Sequence, residues 1–201
     1  MGSKAAKVAG IVEKYANIVK SAGNTLKQWT LQKLPNDIKG IFGKKPVKQP
    51  KSLTQKIDEA IQAQKRAESE YEVLRQGNKT IAHDDIKTIS GWSEKPNGYS
   101  DISPETVKNY SKEINHEMKS AGGLDQKNRG GFDGKYNSSH AEKQLLTEKP
   151  NEPLGVSRTM CDDCQKFASK QAVKTQEHVV VADPNGVHIF DPNGTHVFIP
   201  K

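Results

Sequence analysis

Apolar residues recur every three or four positions along the first part of the chain, which is the spacing of an amphipathic helix. The positions are Val8, Ile11, Val12, Tyr15, Ile18, Val19, Ala22, Leu26 and Trp29. Residues 43–51 then contain two prolines and no apolar period, which is typical of an extended linker. We therefore expect a basic amphipathic helical leader over residues 1–42 and a linker over residues 43–51.

A second helical pattern begins directly after this linker. Ser52 and Gln55 have the spacing of a capping box, in which each side chain bonds to the backbone N–H of the other residue. Apolar residues then follow at helical spacing until Gly77, where the pattern ends. The outer face mixes basic, acidic and amide side chains. We expect a helical spacer over residues 52–84 and a separate domain over residues 85–201.

The last third of the chain has the pattern of strands and tight turns. Three β-rich runs, 178–182, 187–190 and 195–199, are separated by two copies of Asp-Pro-Asn-Gly. Proline fixes the first turn angle and Asn-Gly supplies positive φ, so each copy predicts a sharp reversal between antiparallel strands. The pattern predicts a three-stranded meander, with His188 and His196 at exposed strand positions.

The middle of the chain is less regular. Ser103 followed by Pro104 predicts the start of a helix that ends near Gly122. Residues 123–137 are rich in Gly, Asp, Asn and Lys, which predicts a loop or a hairpin.

Charge is distributed unevenly along the 201 residues. The net charge is +7, but residues 1–51 hold eleven lysines and two acidic residues, so the leader and linker carry +9 and the remaining 150 residues carry −2. No run approaches the roughly 20 apolar residues of a membrane span, and the interrupted apolar run at the start of the sequence leads us to expect no secretory signal there. A basic amphipathic helix can contact an anionic membrane or pack on a larger parent protein, and we favour the parent protein.

The candidate chemistry lies in two short motifs. His140 with Glu142 forms the first, and Cys161 with Cys164 forms the second. One imidazole and two thiolates are three ligands for tetrahedral zinc, which leaves the fourth position open for water. Glu142 is the candidate proton shuttle between that water, the substrate ring and the leaving amine. Residues i and i+2 within a helix point apart, so His140 must stand at a helix start, with Ser138 or Ser139 as the cap.

Each motif also has a simpler interpretation. Ser139 and Glu142 have the spacing of a capping box, in which the glutamate only bonds backbone. Cys161 and Cys164 could form a redox pair, although the two aspartates between them disfavour the thiolate that such a pair needs. A structural zinc would need a fourth protein ligand, for which the nearby imidazoles are His178, His188 and His196.

The two motifs together resemble a known family. Residues 138–145, 155–164 and 178–183 are similar to zinc-dependent deaminase domains of bacterial polymorphic toxins, which belong to the cytidine deaminase-like superfamily. The resemblance implies an α/β/α sandwich with a mixed sheet that ends in an antiparallel hairpin, here preceded by a helical N-terminal extension. It also implies that the first two strands lie before His140, within the weakly patterned residues 123–137.

The same resemblance implies the roles of the site residues. His140, Cys161 and Cys164 would bind Zn²⁺, and Glu142 would shuttle protons. A flipped base needs aromatic or apolar walls, and the backbone phosphates need cations. The candidate substrate-binding residues are Phe132, Lys135, Tyr136, Asn137, Ser139 and Arg158.

We therefore expect a zinc-dependent hydrolytic deaminase of cytosine in DNA or RNA, single- or double-stranded. As a toxin in competition between bacteria, it would be delivered within a larger secreted effector, act in the target-cell cytoplasm and be blocked by a cognate immunity protein. One alternative is a deaminase of free nucleosides or nucleotides, or of adenine. Another is a non-catalytic module with a structural zinc.

Overall fold

Helices flank a six-stranded mixed sheet, which confirms the α/β class expected from the sequence. The structure is a computed structural model that describes residues 50–74, 77–121 and 123–201. The expected leader helix and most of the expected linker lie outside the described residues. Among the helices that the structure describes, none is both long and apolar enough to cross a membrane.

The strands follow the order β2-β1-β3-β4-β5-β6 across the sheet. Their bounds are Ile81–His83 (β1), Lys87–Ile89 (β2), Leu154–Val156 (β3), Val179–Asp183 (β4), Gly186–Phe190 (β5) and His196–Pro200 (β6). Only β3 and β4 pair in parallel, and the other neighbours are antiparallel. The two Asp-Pro-Asn-Gly turns join β4 to β5 and β5 to β6, so the meander is confirmed.

One face of the sheet is covered by helix α1, Leu53–Leu74. The capping box at its start is confirmed: Gln55 N donates to Ser52 Oγ at 3.2 Å, and Ser52 N donates to Gln55 Oε1 at 2.8 Å. The helix passes so close to β3 that a Cβ built on Gly155 would lie 1.8 Å from Gln64 N. Glycine at this position therefore sets the distance between helix and sheet.

The opposite face of the sheet is covered by the remaining helices. Their bounds are Pro104–Glu113 (α2), Lys135–Ser138 (α3), Ala141–Glu148 (α4) and Asp162–Thr175 (α5). Buried apolar residues from α4 and α5 pack with those of β3 and β4, and Phe167 is fully buried among them. The sheet is thus enclosed between two helical layers.

Three local expectations were wrong. The segment interpreted as a spacer contains α1, whose Ala60 side packs on β4 and β5, because its small residues allow close approach to the sheet. The first hairpin is β1–β2, and residues 123–137 form two 3₁₀ turns and α3, since three-residue strands are too short to show alternation. Helix α2 ends at Glu113, where Asn115 takes a positive φ of 55°.

Candidate active site

His140 stands at the start of helix α4, as the expected chemistry requires. It is the N-cap residue, with extended backbone angles of φ −66° and ψ 135°, and its side chain makes no capping hydrogen bond. Neither expected cap serves this helix: Ser138 donates its hydroxyl to Lys135 O at 2.8 Å, and Ser139 donates its hydroxyl to Tyr136 O at 2.7 Å. Because His140 lies outside the helical turn, its imidazole and the Glu142 carboxyl both reach the same cleft.

The two cysteines lie at the start of helix α5. Cys161 is the N-cap residue, in an extended conformation, and Cys164 lies one turn later and is fully buried. Strand β3 leads into this turn and the helix returns across the sheet. Both thiols thus lie at the edge of the sheet where β3 ends, and both are free.

The helix starts bring the three candidate ligand atoms together. His140 Nδ1 lies 3.3 Å from Cys164 Sγ and 3.5 Å from Cys161 Sγ. All three ligand atoms are within 4.8 Å of one another. Tetrahedral zinc with ordinary bond lengths separates a nitrogen and a sulfur ligand by about 3.5 Å, so this donor set fits zinc in chemistry and in spacing.

Charges within this group perturb one another. The pKa of Cys161 falls to about 3, chiefly because Cys164 and then His140 hydrogen-bond to its sulfur. Burial raises the pKa of Cys164 well above its ordinary value. Burial is the largest influence on His140 and lowers its pKa, but the bond to Cys161 and the charges of Glu142 and Cys161 together outweigh it, so the net shift is upward. The site therefore favours a thiolate beside a protonated imidazole, a charge distribution that a bound cation would replace.

Glu142 is buried without a complete set of partners. Its side chain is 3% exposed, and among the described residues its Oε2 atom has no hydrogen-bond partner. Burial raises the pKa of this carboxyl, and the neighbouring His140 only partly opposes the shift. A buried carboxyl with a raised pKa and a free oxygen at a cleft has the properties of a general acid and base.

A buried ion pair joins the two helices that carry the candidate ligands. Lys143 on α4 is fully buried and pairs with Asp163 on α5, and it also donates to Asn137 O at 3.0 Å. His116 Nε2 lies 3.5 Å from the same aspartate. Burial opposes ionisation of Asp163, but the neighbouring His116 and the paired Lys143 lower its pKa. This pair was not predicted from the sequence, although Lys143 follows the His140–Glu142 motif directly and Asp163 lies inside the cysteine motif.

A second polar network fixes α4 against the end of β2. Gln144 donates to Ile89 O at 3.1 Å and to Ser139 O at 2.7 Å, and Ser139 O also accepts from Gly91 N at 2.9 Å. Lys95 donates to Ile89 O at 2.7 Å and to Gln144 Oε1 at 3.1 Å. Burial lowers the pKa of Lys95 to about 8. These bonds hold the backbone before His140, and polarity alone did not single them out in the sequence.

Two of the three candidate ligands, His140 and Cys161, line a cleft of about 520 Å³ together with Glu142. Three of the six residues expected to bind substrate line it: Tyr136, Ser139 and Arg158. Tyr136 is 43% exposed, and its ring meets His140 edge to face at 5.6 Å between centroids. The sequence analysis did not single out Lys79, Ser90 or Leu124, which complete the wall together with other residues.

The other three expected substrate residues lie away from the cleft lining. Phe132 packs beneath Lys108, whose Nζ lies 4.3 Å from the ring centroid. Lys135 donates to Gly130 O at 2.9 Å. Asn137 is buried and donates to Lys119 O at 2.7 Å, which makes it a part of the scaffold around α3.

The geometry gives little support to two of the simpler interpretations, the capping box at Ser139 and the structural zinc. The expectation that the two aspartates disfavour a thiolate was wrong, because the hydrogen bond from Cys164 lowers the pKa of Cys161 to about 3. Ser139 bonds to Tyr136 and not to the backbone of Glu142, so the expected capping box does not form. Within the described part of the chain, His140, Cys161 and Cys164 are the one group of three or more potential metal ligands. None of the three expected candidates for a fourth ligand belongs to this group: His178 lies 3.2 Å from Asp191, His188 lies 3.1 Å from Asp183, and His196 lies 3.0 Å from His188.

Comparison with protein families agrees with the motif and the geometry. Residues 87–146 match the family described as "Single-strand DNA deaminase toxin A, C-terminal". This segment resembles a deaminase toxin domain. The match runs from β2 through the first turns of α4, so it includes His140 and Glu142 but not the cysteines. No curated protein matches the chain. The resemblance to deaminase toxins drawn from the motifs is confirmed.

Proposed function

We propose that this domain is a zinc-dependent hydrolytic deaminase of cytosine in single-stranded DNA. The observation that carries the proposal is the meeting of His140, Cys161 and Cys164 beside the Glu142 carboxyl, whose Oε2 has no partner among the residues that the structure describes. The family match over residues 87–146 supports deamination of DNA. His140, Cys161 and Cys164 would hold the zinc, which supplies a water whose pKa is lowered towards 7.

Glu142 does the proton chemistry in this scheme. Deamination forms a bond between the water oxygen and C4 of cytosine and breaks the bond between C4 and the amino nitrogen. Glu142 takes one proton from the water and delivers it to ring nitrogen N3. It then takes the second proton from the oxygen now bonded to C4 and delivers it to the amino nitrogen, which leaves as ammonia as the C4 carbonyl forms. Burial raises the pKa of Glu142, which favours the protonated form that donates to the ring nitrogen and to the leaving amine.

The cleft supports a base taken out of a strand. Tyr136 offers a half-exposed ring beside His140 on which the flipped base can stack. Arg158 and Lys79 lie in the same wall and can contact phosphate. A single strand suits this arrangement because it avoids the cost of opening a duplex.

Delivery as a toxin is the remaining part of the proposal. In this scheme the domain is one part of a larger secreted effector, acts in the cytoplasm of a target cell in competition between bacteria, and is blocked by a cognate immunity protein. The family description, which names a toxin, supports this setting. Expression of the wild type in a bacterial cytoplasm should then arrest growth and raise the frequency of C-to-T mutations, and Glu142→Gln should do neither.

The decisive experiment compares two variants on one helix. Wild type, Glu142→Gln and Glu148→Gln are incubated with single-stranded DNA, duplex DNA, RNA and free nucleosides, and base conversion is read by mass spectrometry. Glu148 is an exposed glutamate at the end of α4, so its change to glutamine controls for the loss of a charge. We expect wild type and Glu148→Gln to convert cytosine to uracil in single-stranded DNA, and Glu142→Gln to bind zinc but lose at least 10³-fold in kcat, an order typical of a proton-transfer group.

Four outcomes would overturn the proposal in different ways. Conversion of nucleosides alone would favour a nucleoside deaminase, and conversion of adenine would change the base. Full activity of Glu142→Gln would exclude Glu142 as the proton shuttle. Bound zinc without conversion of any substrate by the wild type would favour the structural module.

A further inference from the structure

Asp183 ends strand β4 and begins the first Asp-Pro-Asn-Gly turn. Its side chain is fully buried. One carboxylate oxygen, Oδ1, accepts from Asn185 N at 2.8 Å and from Gly186 N at 3.1 Å. These are the bonds that an aspartate at the start of a tight turn is expected to make, and they account for one of its two oxygens.

The second oxygen contacts the backbone directly before the first cysteine of the candidate metal site. Asp183 Oδ2 accepts from the backbone N–H of Met160 at 3.0 Å. Met160 directly precedes Cys161, the N-cap of α5 and a candidate ligand. The carboxylate of a strand residue therefore fixes the backbone from which the first thiol projects. A neighbouring contact strengthens the connection, since Asn185 Nδ2 donates to Thr159 Oγ1 at 3.0 Å.

A histidine holds this carboxylate from the other side. His188 Nε2 lies 3.1 Å from Asp183 Oδ2, and His188 Nδ1 lies 3.0 Å from Nε2 of the exposed His196. The expectation that His188 is exposed was wrong: it is 5% exposed, because its ring packs against Phe198 at 4.7 Å between centroids. Although burial opposes ionisation of Asp183, the bonds from His188 and from Met160 N–H lower its pKa.

We propose that Asp183 is a positioning residue for the backbone of Met160 and Cys161, and that His188 keeps the Asp183 carboxylate oriented towards Met160 N–H. The proposal rests on the proposed function for the identity of the metal site. It gives the terminal meander a role in the site, beyond completing the sheet. Groups that orient ligands from outside the coordination shell commonly change metal affinity by about 10- to 100-fold when they are lost.

The chain supplies a matched control in its second Asp-Pro-Asn-Gly turn. Asp191 Oδ1 accepts from Asn193 N at 2.9 Å, the equivalent of the bond from Asn185 N to Asp183. This turn joins β5 to β6, so it lies at the opposite end of β5 from the turn that contains Asp183. The other carboxylate oxygen of Asp191 faces His178 at 3.2 Å. A change at Asp191 therefore tests the turn without the connection to Met160.

The test compares Asp183→Asn with Asp191→Asn in the 201-residue chain. Asparagine retains an oxygen for the turn N–H groups, but in that orientation its NH₂ group replaces the acceptor that faces Met160 N–H. Zinc affinity is measured by competition with a chromophoric chelator. Co²⁺ replaces zinc for absorption spectra, in which the thiolate-to-cobalt bands report the geometry of Cys161 and Cys164. We expect Asp183→Asn to weaken zinc binding by about tenfold or more and to shift the Co²⁺ bands, and Asp191→Asn to retain the wild-type values.

Wild-type affinity and spectrum in Asp183→Asn would overturn the proposal, and so would an equal loss in Asp191→Asn. If Asp183→Asn does not fold, His188→Phe tests the same connection, since it removes the imidazole and leaves the carboxylate. We expect it to weaken zinc binding severalfold, and wild-type affinity would overturn the proposal. The metal readouts need no substrate, so a wild type that binds zinc and deaminates nothing would refute the proposed function alone.

Discussion

Replacing Lys143 with methionine should destabilise the domain more than any ordinary surface substitution. Lys143 is fully buried and its partner Asp163 is almost so, with 6% of its side chain exposed. Methionine retains most of the side-chain volume but leaves the carboxylate without its main cation. Loss of one partner of a buried pair costs about 3–5 kcal/mol, because the remaining charge stays out of water.

The remaining partner sets where in this range the loss should fall. His116 lies 3.5 Å from Asp163 and can compensate in part, so we expect about 3 kcal/mol, near the lower limit. For a domain of this size, that loss corresponds to a decrease in Tm of roughly 6–12 °C. The two changes Lys143→Met and Asp163→Asn together should cost less than their sum, since the second change removes the charge that the first leaves unpaired.

Urea unfolding of the metal-free protein, followed by circular dichroism, measures this loss without a contribution from metal binding. Lys56→Met is the matched control. Lys56 is also buried, but its partner Glu177 is 49% exposed, so water can solvate that carboxylate when the lysine is lost and we expect about 1 kcal/mol. A loss below about 1 kcal/mol in Lys143→Met, or one equal to that of Lys56→Met, would refute the reasoning.

Three further predictions concern packing, acid stability and the metal. Gly155→Ala should lower the free energy of unfolding by about 3 kcal/mol or more in the same urea assay, since the new Cβ would overlap α1. Gly123→Ala is the control: there is open space at its Cβ, so the free energy should change by less than about 0.5 kcal/mol. The pKa of Asp163 is lowered in the folded state, so its contribution to stability is complete above the unfolded pKa of about 3.9 and is lost as the pH falls through the folded value. Asp163→Asn should therefore reduce the loss of stability with acid in urea titrations from pH 6 to pH 2. An unchanged slope of stability against pH would contradict this prediction. Removal of zinc by a chelator should lower Tm and make Cys161, which is half-buried, react with thiol reagents faster than Cys164; equal labelling with and without zinc would exclude them as ligands.

The site residues that could be predicted from the sequence are those whose side chains can bind a metal or transfer a proton. Histidine, glutamate and two cysteines at fixed spacing have few simpler explanations together, and the structure brings His140, Cys161 and Cys164 within reach of one ion. The two Asp-Pro-Asn-Gly turns were equally predictable, because proline and glycine restrict or extend the backbone locally. Local chemistry and local geometry are visible in a sequence.

The parts that the sequence did not predict depend on tertiary partners. Lys143 has the sequence context of a surface residue, and only the packing of α4 on α5 places it beside Asp163. The sequence around Asp183 predicts only a turn. The bond from Met160 N–H to its carboxylate forms because β4 pairs with β3. Strands as short as Ile81–His83 have no room for a period, so their existence depends on the strands beside them.

The position of α1 over Gly155 has a practical consequence for dividing this chain into fragments. A piece that begins at residue 85, where the sequence suggested a domain boundary, would lack both α1 and β1. It would expose Val180, Val187 and Ile189 on the uncovered sheet face and leave one side of β3 without its neighbour. Such a fragment should aggregate on expression even though it retains every candidate zinc ligand, whereas one that begins at Lys51 keeps the complete sandwich.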